Sequence, residues 1–504
     1  MNHSKKIAIN TFALYCKIVV NIGVSFFSTK IALQYLGVDD YGLYNLVAGI
    51  IGLLTFLNGS LMISTQRFLS IGIGQRREKY LSEIFNVSLF LHISVGGGII
   101  FLLLICENVF IDQLINIKEE LINDAHVVYK IMVVSTTITL VFNPYSAVIN
   151  AHEDMWMFAI SEMISTLLRL MACLTLMYIE QNLLIIYSAL MLFAIVIGIL
   201  IKYIWCIRKY NECRIICSEM VNFALIKEMS SFVGWNTFGS IAMICRNQGI
   251  AIVLNLFFGI TMNAVYSIAS QVNNVVLVFS TTMTTVFAPS IIQSRGNGND
   301  VRMRFLTILT NKISFLLSCL FAIPIIIFRE ELLSLWLTNV PEHTAEFCLY
   351  ILISFVITQL TPGINRAIYA VGKIKGYQIS MAVCYIMNLI LGYYVLSNGA
   401  IVDSIFIIMI VIQIIILFMT LYYGEKLVGI SASTLMIKFI LPAMVLFCLF
   451  MWIFPFVIVV ENLNIFQIIV ISIVIDIFFA ICYFFLIFEK EERTDLLTRI
   501  NVKK

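Results

Sequence analysis

Residues 258–268, "FGITMNAVYSI", repeat an earlier stretch, "LGVDDYGLYNL" at 36–46. Gly259 matches Gly37, Ile260 matches Val38, and Tyr266 matches Tyr44. Each stretch closes one long apolar run and opens the next. A second pair keeps the order and nearly the spacing: "FAISE" at 158–162 with "YQISM" at 377–381. A proline-bearing segment precedes each member, "NPYSAVINA" at 143–151 and "TPGINRAIYA" at 361–370. Two matches at almost one offset predict a chain built from two parallel halves. Membrane transporters are commonly built this way, with the substrate site between the repeats.

The solvent for those halves follows from composition. The chain has 504 residues, of which 61% are hydrophobic and only 12% charged; mean hydropathy is +0.98. No water-soluble surface accommodates that much apolar area. Spanning a bilayer takes about 20 apolar residues of helix. Fourteen runs qualify, near 8–33, 41–63, 83–106, 126–148, 155–178, 183–206, 230–257, 263–293, 305–327, 345–370, 377–396, 401–422, 433–456 and 464–488. The predicted fold is therefore an all-α polytopic membrane protein with about 14 transmembrane helices. Residues 1–210 form an N-terminal six-helix bundle and 230–424 a C-terminal one. Residues 211–229 join them, and 425–504 add helices 13–14 with a tail. In the joining segment Ile215, Ile216, Met220, Phe223 and Ile226 share roughly one helical face, the pattern of an amphipathic helix on the membrane surface. The basic N-terminus "MNHSKKIAIN" runs into an apolar segment without a small-residue cleavage site. It reads as the first span, not as a removable signal.

Fourteen spans leave both termini on one side. Of the 32 Lys and Arg, 22 fall in segments on that side, Lys202 and Arg67 counted among them; only Lys118 and Arg329 fall opposite. That ratio predicts cytoplasmic termini. The formal net charge of +3 says little about partners, and nucleic-acid binding has no support. The twelve cysteines are scattered through apolar runs. They read as reduced small residues, and the histidines do not join them in a metal pattern.

Eight cations lie inside predicted spans. Lys30, Lys130, Arg366 and Lys438 sit near span ends, where long side chains snorkel. Lys17, Arg169 and Arg246 are deeper, and Lys312 is the eighth. The clearly intramembrane acids are Glu162 and Asp476, with Asp403 near an outer end. A charge in a span is costly and by default functional. Polar stripes accompany these cations: Asn10, Lys17, Asn21, Ser25 and Ser28 in the first run; Asn236, Ser240, Arg246 and Asn247 in the seventh; Ser267, Gln271 and Asn274 in the eighth. The plainest role of the neutral members is hydrogen bonding between helices. The cations additionally call for an anion.

At this point the chain resembles a family. "STQRFLSIGIG" at 64–74, "NPYSAVINAHE" at 143–153, "LNLFFGITMNAVYSIASQV" at 254–272, "APSIIQS" at 288–294 and "GKIKGYQIS" at 372–380 are similar to the O-antigen and capsular polysaccharide flippases. These belong to the multidrug/oligosaccharidyl-lipid/polysaccharide exporter superfamily. The resemblance covers roughly residues 5–425 and its motifs are diffuse. It implies two six-helix bundles around a central cavity, working by alternating access. It implies the movement of an undecaprenyl-diphosphate-linked oligosaccharide from the inner to the outer leaflet of a bacterial cytoplasmic membrane. The bilayer and the polysaccharide polymerase machinery are the implied partners, and no cofactor is. Helix number departs from the pattern: many such flippases have twelve, whereas lipid II flippases have fourteen, the extra pair flanking a lipid groove.

Under this reading Arg246, Lys17 and Arg169 hold the diphosphate. Asn21, Asn247, Gln271 and Asn274 meet the sugars or the phosphate, and Glu162 and Asp476 serve coupling or ion pairing. A cation-coupled multidrug antiporter of the same fold is the alternative, disfavoured because the deep charges are mostly basic. A membrane polymerase or ligase is weaker still, since no external loop is large enough to gather catalytic groups. The chain is not expected to be an enzyme.

Overall fold

The computed structural model describes residues 3–52, 55–114, 121–180, 182–337, 339–457, 464–489 and 492–493. Lys118, four of the five cations after residue 489 and most of the C-terminal tail lie outside them. No strand is present among the described residues. The helices are α1 (His3–Gly52), α2 (Thr55–Gln75), α3 (Glu78–Ile105), α4 (Ile122–Ala151), α5 (Met155–Thr175), α6 (Leu183–Lys209), α7 (Phe223–Gly296), α8 (Asp300–Ile327), α9 (Arg329–Trp336), α10 (Thr344–Thr358), α11 (Pro362–Val371), α12 (Lys375–Ser397), α13 (Ser404–Tyr423), α14 (Ala432–Leu435), α15 (Leu441–Val457) and α16 (Ile465–Ile487). Eleven are long and apolar enough to cross a membrane, or twelve if the bent pair α10–α11 is one span. Bilayers admit such helices because every backbone polar group is satisfied within the segment.

Two helices are far longer than a bilayer is thick, and both break at the repeated glycine. Gly37 interrupts α1 at φ 79°, ψ 176°, and Gly259 interrupts α7 at φ 79°, ψ −172°. That region of backbone space is essentially reserved for glycine. With the helices divided there, each of the fourteen apolar runs falls largely on helix over its described residues. The tenth run bends by 44° between Thr358 and Pro362. Proline begins α11 where its missing N–H costs nothing. Gly363 lets α11 approach α8, for a Cβ there would stand 2.3 Å from the Thr307 carbonyl oxygen.

The chain divides into two compact units, residues 1–237 with 292–299, and 238–291 with 300–504. The first has a core of buried apolar side chains that includes Val47, Ile99, Tyr129 and Leu184. Leu254, Val265, Phe347 and Phe406 belong to the core of the second. Within the first unit the end of α7 crosses α2 at two glycines. A Cβ on Gly74 would meet the Gln293 carbonyl oxygen at 2.4 Å, and one on Gly296 the Ile71 carbonyl oxygen at 2.5 Å.

Two sequence expectations are corrected. The single amphipathic helix over 211–229 is instead a pair of 3-10 turns, Asn211–Cys213 and Cys217–Glu219, with α7 starting at Phe223. Tertiary hydrogen bonds outweigh the helical pattern: the Asn86 side chain accepts from Ile216 N and donates to the Arg214 carbonyl, and Ser82 donates to Glu219. Arg67 and Lys202, counted as loop cations, lie inside α2 and α6, 6% and 9% exposed. Helix α2 continues past its apolar run, which ends near 63, to Gln75 and so takes in Arg67, whereas Lys202 falls near the end of the sixth run itself and α6 continues beyond it to Lys209.

Candidate functional site

In the first unit, α5 carries Phe158, Glu162, Thr166 and Arg169 at spacings of four, four and three, which place them on one helical face. Residues Lys17 and Asn21 of α1 and Lys202 of α6 meet that face. Lys202 Nζ lies 2.9 Å from Glu162 Oε1. Its Nζ is also 5.1 Å from the centre of the Phe158 ring, and Lys17 Nζ is 4.8 Å from the same centre. Thr166 Oγ1 donates to Asn21 Oδ1 at 2.7 Å. The electrostatic partners of Glu162 are Lys202, then Lys17, then Arg169. Arg169 lies near Tyr44, and its Nε is enclosed without a hydrogen-bond acceptor. The cluster therefore sets three cations against one carboxylate. Aromatic faces attract cations, so Phe158 holds two ammonium groups close together without neutralising either.

The second unit holds Arg246. Its Nε and Nη2 both donate to Asn247 Oδ1, at 3.2 and 3.0 Å, and its guanidinium lies 4.9 Å from the centre of the Tyr385 ring. Tyr266 donates to the Asn247 carbonyl at 3.4 Å. These contacts orient the guanidinium while leaving its other donors unused. Among the described residues no carboxylate pairs with Arg246, Lys17 or Arg169. Asn247, Gln271 and Asn274 are exposed side chains of α7, and no hydrogen bond joins the last two to Arg246. Asp476 of α16 lies near Cys319 of α8, with an enclosed Oδ1 that has no partner; no contact joins it to the Arg246 group.

Sequence reading missed a third cluster, where "NPYSAVINAHE" ends. Asp154 accepts from Lys209 and Tyr210 and pairs with Lys6 Nζ at 3.1 Å. Lys6 also donates to the His152 carbonyl at 2.6 Å, and Asn10 donates to the Glu153 carbonyl at 2.6 Å. His152 pairs with Glu212 and stacks on Tyr210, ring centres 4.2 Å apart. Burial pushes the Asp154 carboxyl up, but hydrogen bonds from Lys209, Tyr210 and Lys6 outweigh it and hold it below the usual range. Burial likewise raises Glu212, and the bond with His152 brings it below its ordinary value. This cluster ties together the ends of α1, α4, α5 and α6. The only signal in the sequence was three consecutive polar residues, "HED", between two spans; their partners are 50 to 150 positions away. Arg67 was missed in the same way. It lies between the rings of Phe68 and Phe232, 4.6 and 5.0 Å from their centres. No group of three or more His, Cys, Asp or Glu is poised to hold a metal among the described residues.

The family model described as MatE matches residues 17–175 and 237–394. A MATE crystal structure in the bent conformation has a TM-score of 0.74 at 14% identity, covering 86% of this chain and 99% of that one. An outward-facing multidrug resistance MATE family transporter of the MOP superfamily gives 0.72 at 14%, covering 84% and 96%. A MOP superfamily transporter from Pyrococcus furiosus, for which reverse polarity of the binding pocket is said to suggest a different function, gives 0.71 at 14%, covering 86% and 96%. At such identities the likeness is one of fold. No curated protein sequence matches the chain.

Proposed function

The chain belongs to the MatE family of membrane transporters, and from that premise we propose that its cargo is an undecaprenyl-diphosphate-linked oligosaccharide. It carries this cargo from the inner to the outer leaflet by alternating access, with both termini in the cytoplasm of a bacterium. One observation carries the reading. Glu162 makes its ion pair with Lys202, and among the described residues no carboxylate lies within ion-pair distance of Lys17, Arg169 or Arg246, although Glu162 attracts the first two from further away. Three such cations in membrane spans suit an anionic cargo. A planar guanidinium held by Asn247 matches a phosphate bidentately. A membrane potential negative inside also drives an anion outward, by about 2.3 kcal/mol per charge per 100 mV. Neutral side chains such as Asn21, Gln271 and Asn274 suit the sugars.

Multidrug efflux is the second reading, favoured by the name of one structural relative. It calls for free carboxylates facing a cationic drug, whereas Glu162 is already engaged. The relative with reverse pocket polarity supports the view that pocket charge sets cargo within this fold.

The test is surface polysaccharide in a deletion strain, normalised to membrane-inserted protein. Arg246→Lys keeps the charge and loses the fork; we expect a fall of about tenfold, the equivalent of about 1.4 kcal/mol. Arg246→Ala should fall further, at unchanged protein level. Normal output from Arg246→Ala rejects the phosphate role. A changed susceptibility to cationic drugs in the deletion strain, with polysaccharide intact, favours efflux instead.

A further inference from the structure

The second unit contains a cavity of about 320 Å³ that none of the three proposed phosphate-binding cations lines, although Gln271, assigned above to the sugars, is among its lining residues. It lies where α8 ends and α9 begins. Val272 and Val275 of α7, Ile325 of α8, and Leu332 and Trp336 of α9 are among its lining residues, with Arg329 at the junction. The guanidinium there is only partly satisfied. Nη1 donates to the Ile326 carbonyl at 3.0 Å, and Nη2 is 3.8 Å from the largely exposed Glu330 carboxylate. Nε is enclosed with no acceptor, an unmatched donor that costs free energy until something accepts from it. Arg329 is also one of two Lys or Arg that the sequence places on its side of the membrane. The bias that fills the other side with cations therefore does not account for it.

We propose that this cavity is a site for a resident bilayer lipid, with an acyl chain in the apolar chamber and an anionic phosphate headgroup on Arg329. A neutral apolar molecule would fill the chamber and leave the guanidinium unmatched. A water-soluble anion would satisfy Arg329 and leave the chamber empty. The end of a membrane-spanning helix is also where a headgroup and an acyl chain meet. Gln271 is the one residue this site shares with the proposed cargo path, and the displacement arm of the experiment separates the two.

The experiment uses the purified full chain in detergent micelles, with photoreactive-acyl phosphatidylglycerol or phosphatidylcholine and crosslinks mapped by peptide mass spectrometry. A basic residue near a membrane surface contributes about 1 kcal/mol toward an anionic lipid, a ratio of about fivefold. Phosphatidylglycerol should thus label residues 272–275 and 325–336 about fivefold more than phosphatidylcholine. Arg329→Gln should bring that ratio to about one. Val275→Trp, at a position 53% exposed, should block labelling by both lipids without lowering the melting temperature. Equal labelling of the wild-type chain by the two lipids overturns the proposal, as does undiminished phosphatidylglycerol labelling in either variant. Displacement of the label by undecaprenyl diphosphate would assign the cavity to the cargo, and displacement by inorganic phosphate would make it a plain anion site. Either outcome overturns the resident lipid.

Discussion

Asp154 shows how a single carboxylate fastens four helix ends. Lys6, Lys209 and Tyr210 all reach it, and they hold its ionised form below the ordinary carboxylate range against the cost of burial. A depressed folded value means stability that is fully present above the unfolded value of about 3.9 and lost as pH falls through the lower folded one. Asp154→Asn should therefore destabilise the detergent-solubilised protein equally at pH 7 and pH 5, with the difference from wild type shrinking only below about pH 4. The size should be about 2 kcal/mol, under the ~3–5 of a wholly buried pair, because Lys209 is 43% exposed. Thermal melts across pH check it; a difference that changes between pH 7 and 5 would assign the effect to another group. The Glu162–Lys202 pair makes a second case. Removing one partner strands a charge in the span, whereas removing both strands none. Lys202→Met should lower the level of membrane-inserted protein several-fold, and adding Glu162→Gln should recover most of it. If the double variant is worse than the single one, the pair is not the source of the penalty.

At the scale of elements, Gly37 and Gly259 were legible as a matched pair before anything else was. Their common conformation explains why both halves need glycine at that place: an L side chain is strained there whatever space surrounds it. A Cβ at either would meet nothing within 4 Å, so any penalty is purely one of backbone. Gly37→Ala and Gly259→Ala should each cost about 1–3 kcal/mol, measured by melting in detergent. Gly42→Ala, equally uncrowded and lacking a positive φ, should be neutral or slightly stabilising. Equal behaviour of all three would dissociate the breaks from the glycines. Apolar runs of span length announced the helices themselves, whereas their ends stayed hidden. The sixth run stopped at 206 in hydropathy, but α6 continues to Lys209; Lys202 lay inside that run near its end, and counting it with the loop cations concealed the partner of Glu162. The 211–229 segment failed for a different reason. Its apolar spacing was genuine, yet Asn86 and Ser82 of α3 bind its backbone and Glu219, and no local pattern reports a hydrogen bond across 130 positions.

For the whole molecule, the two halves repeat in backbone and differ in charge. At the 222-residue offset Lys17 corresponds to Gly239, and Arg246 to Val24. In the second unit a Cβ at Gly239 would lie 1.9 Å from the Gln378 amide oxygen, so a side chain replaces the cation's space. The cations were readable as anomalies in apolar sequence, but their surroundings were not, because Phe158 and Tyr385 come from helices more than 130 positions away. Orientation rests on a sum over the chain, and it makes the last prediction. From the 22-to-2 distribution of Lys and Arg we expect Arg76 and Arg304 in the cytoplasm and Glu342 outside. Exposed Cys217, Cys245 and Cys448 must first be replaced so that they do not react. Single cysteines at 76 and 304 should then be labelled by a membrane-impermeant maleimide only after the cells are opened. A cysteine at 342 should be labelled in intact cells. Arg67 and Lys202 lie within helices, but counting them as span residues still leaves 20 against 2, so the sign of the prediction is unchanged. Because Arg76 lies after the second span and Arg304 after the eighth, an even number of crossings must separate them. Labelling of positions 76 and 304 on opposite faces would mean that one of the apolar runs between them does not cross the membrane, and the repeat of two parallel halves would fail with it.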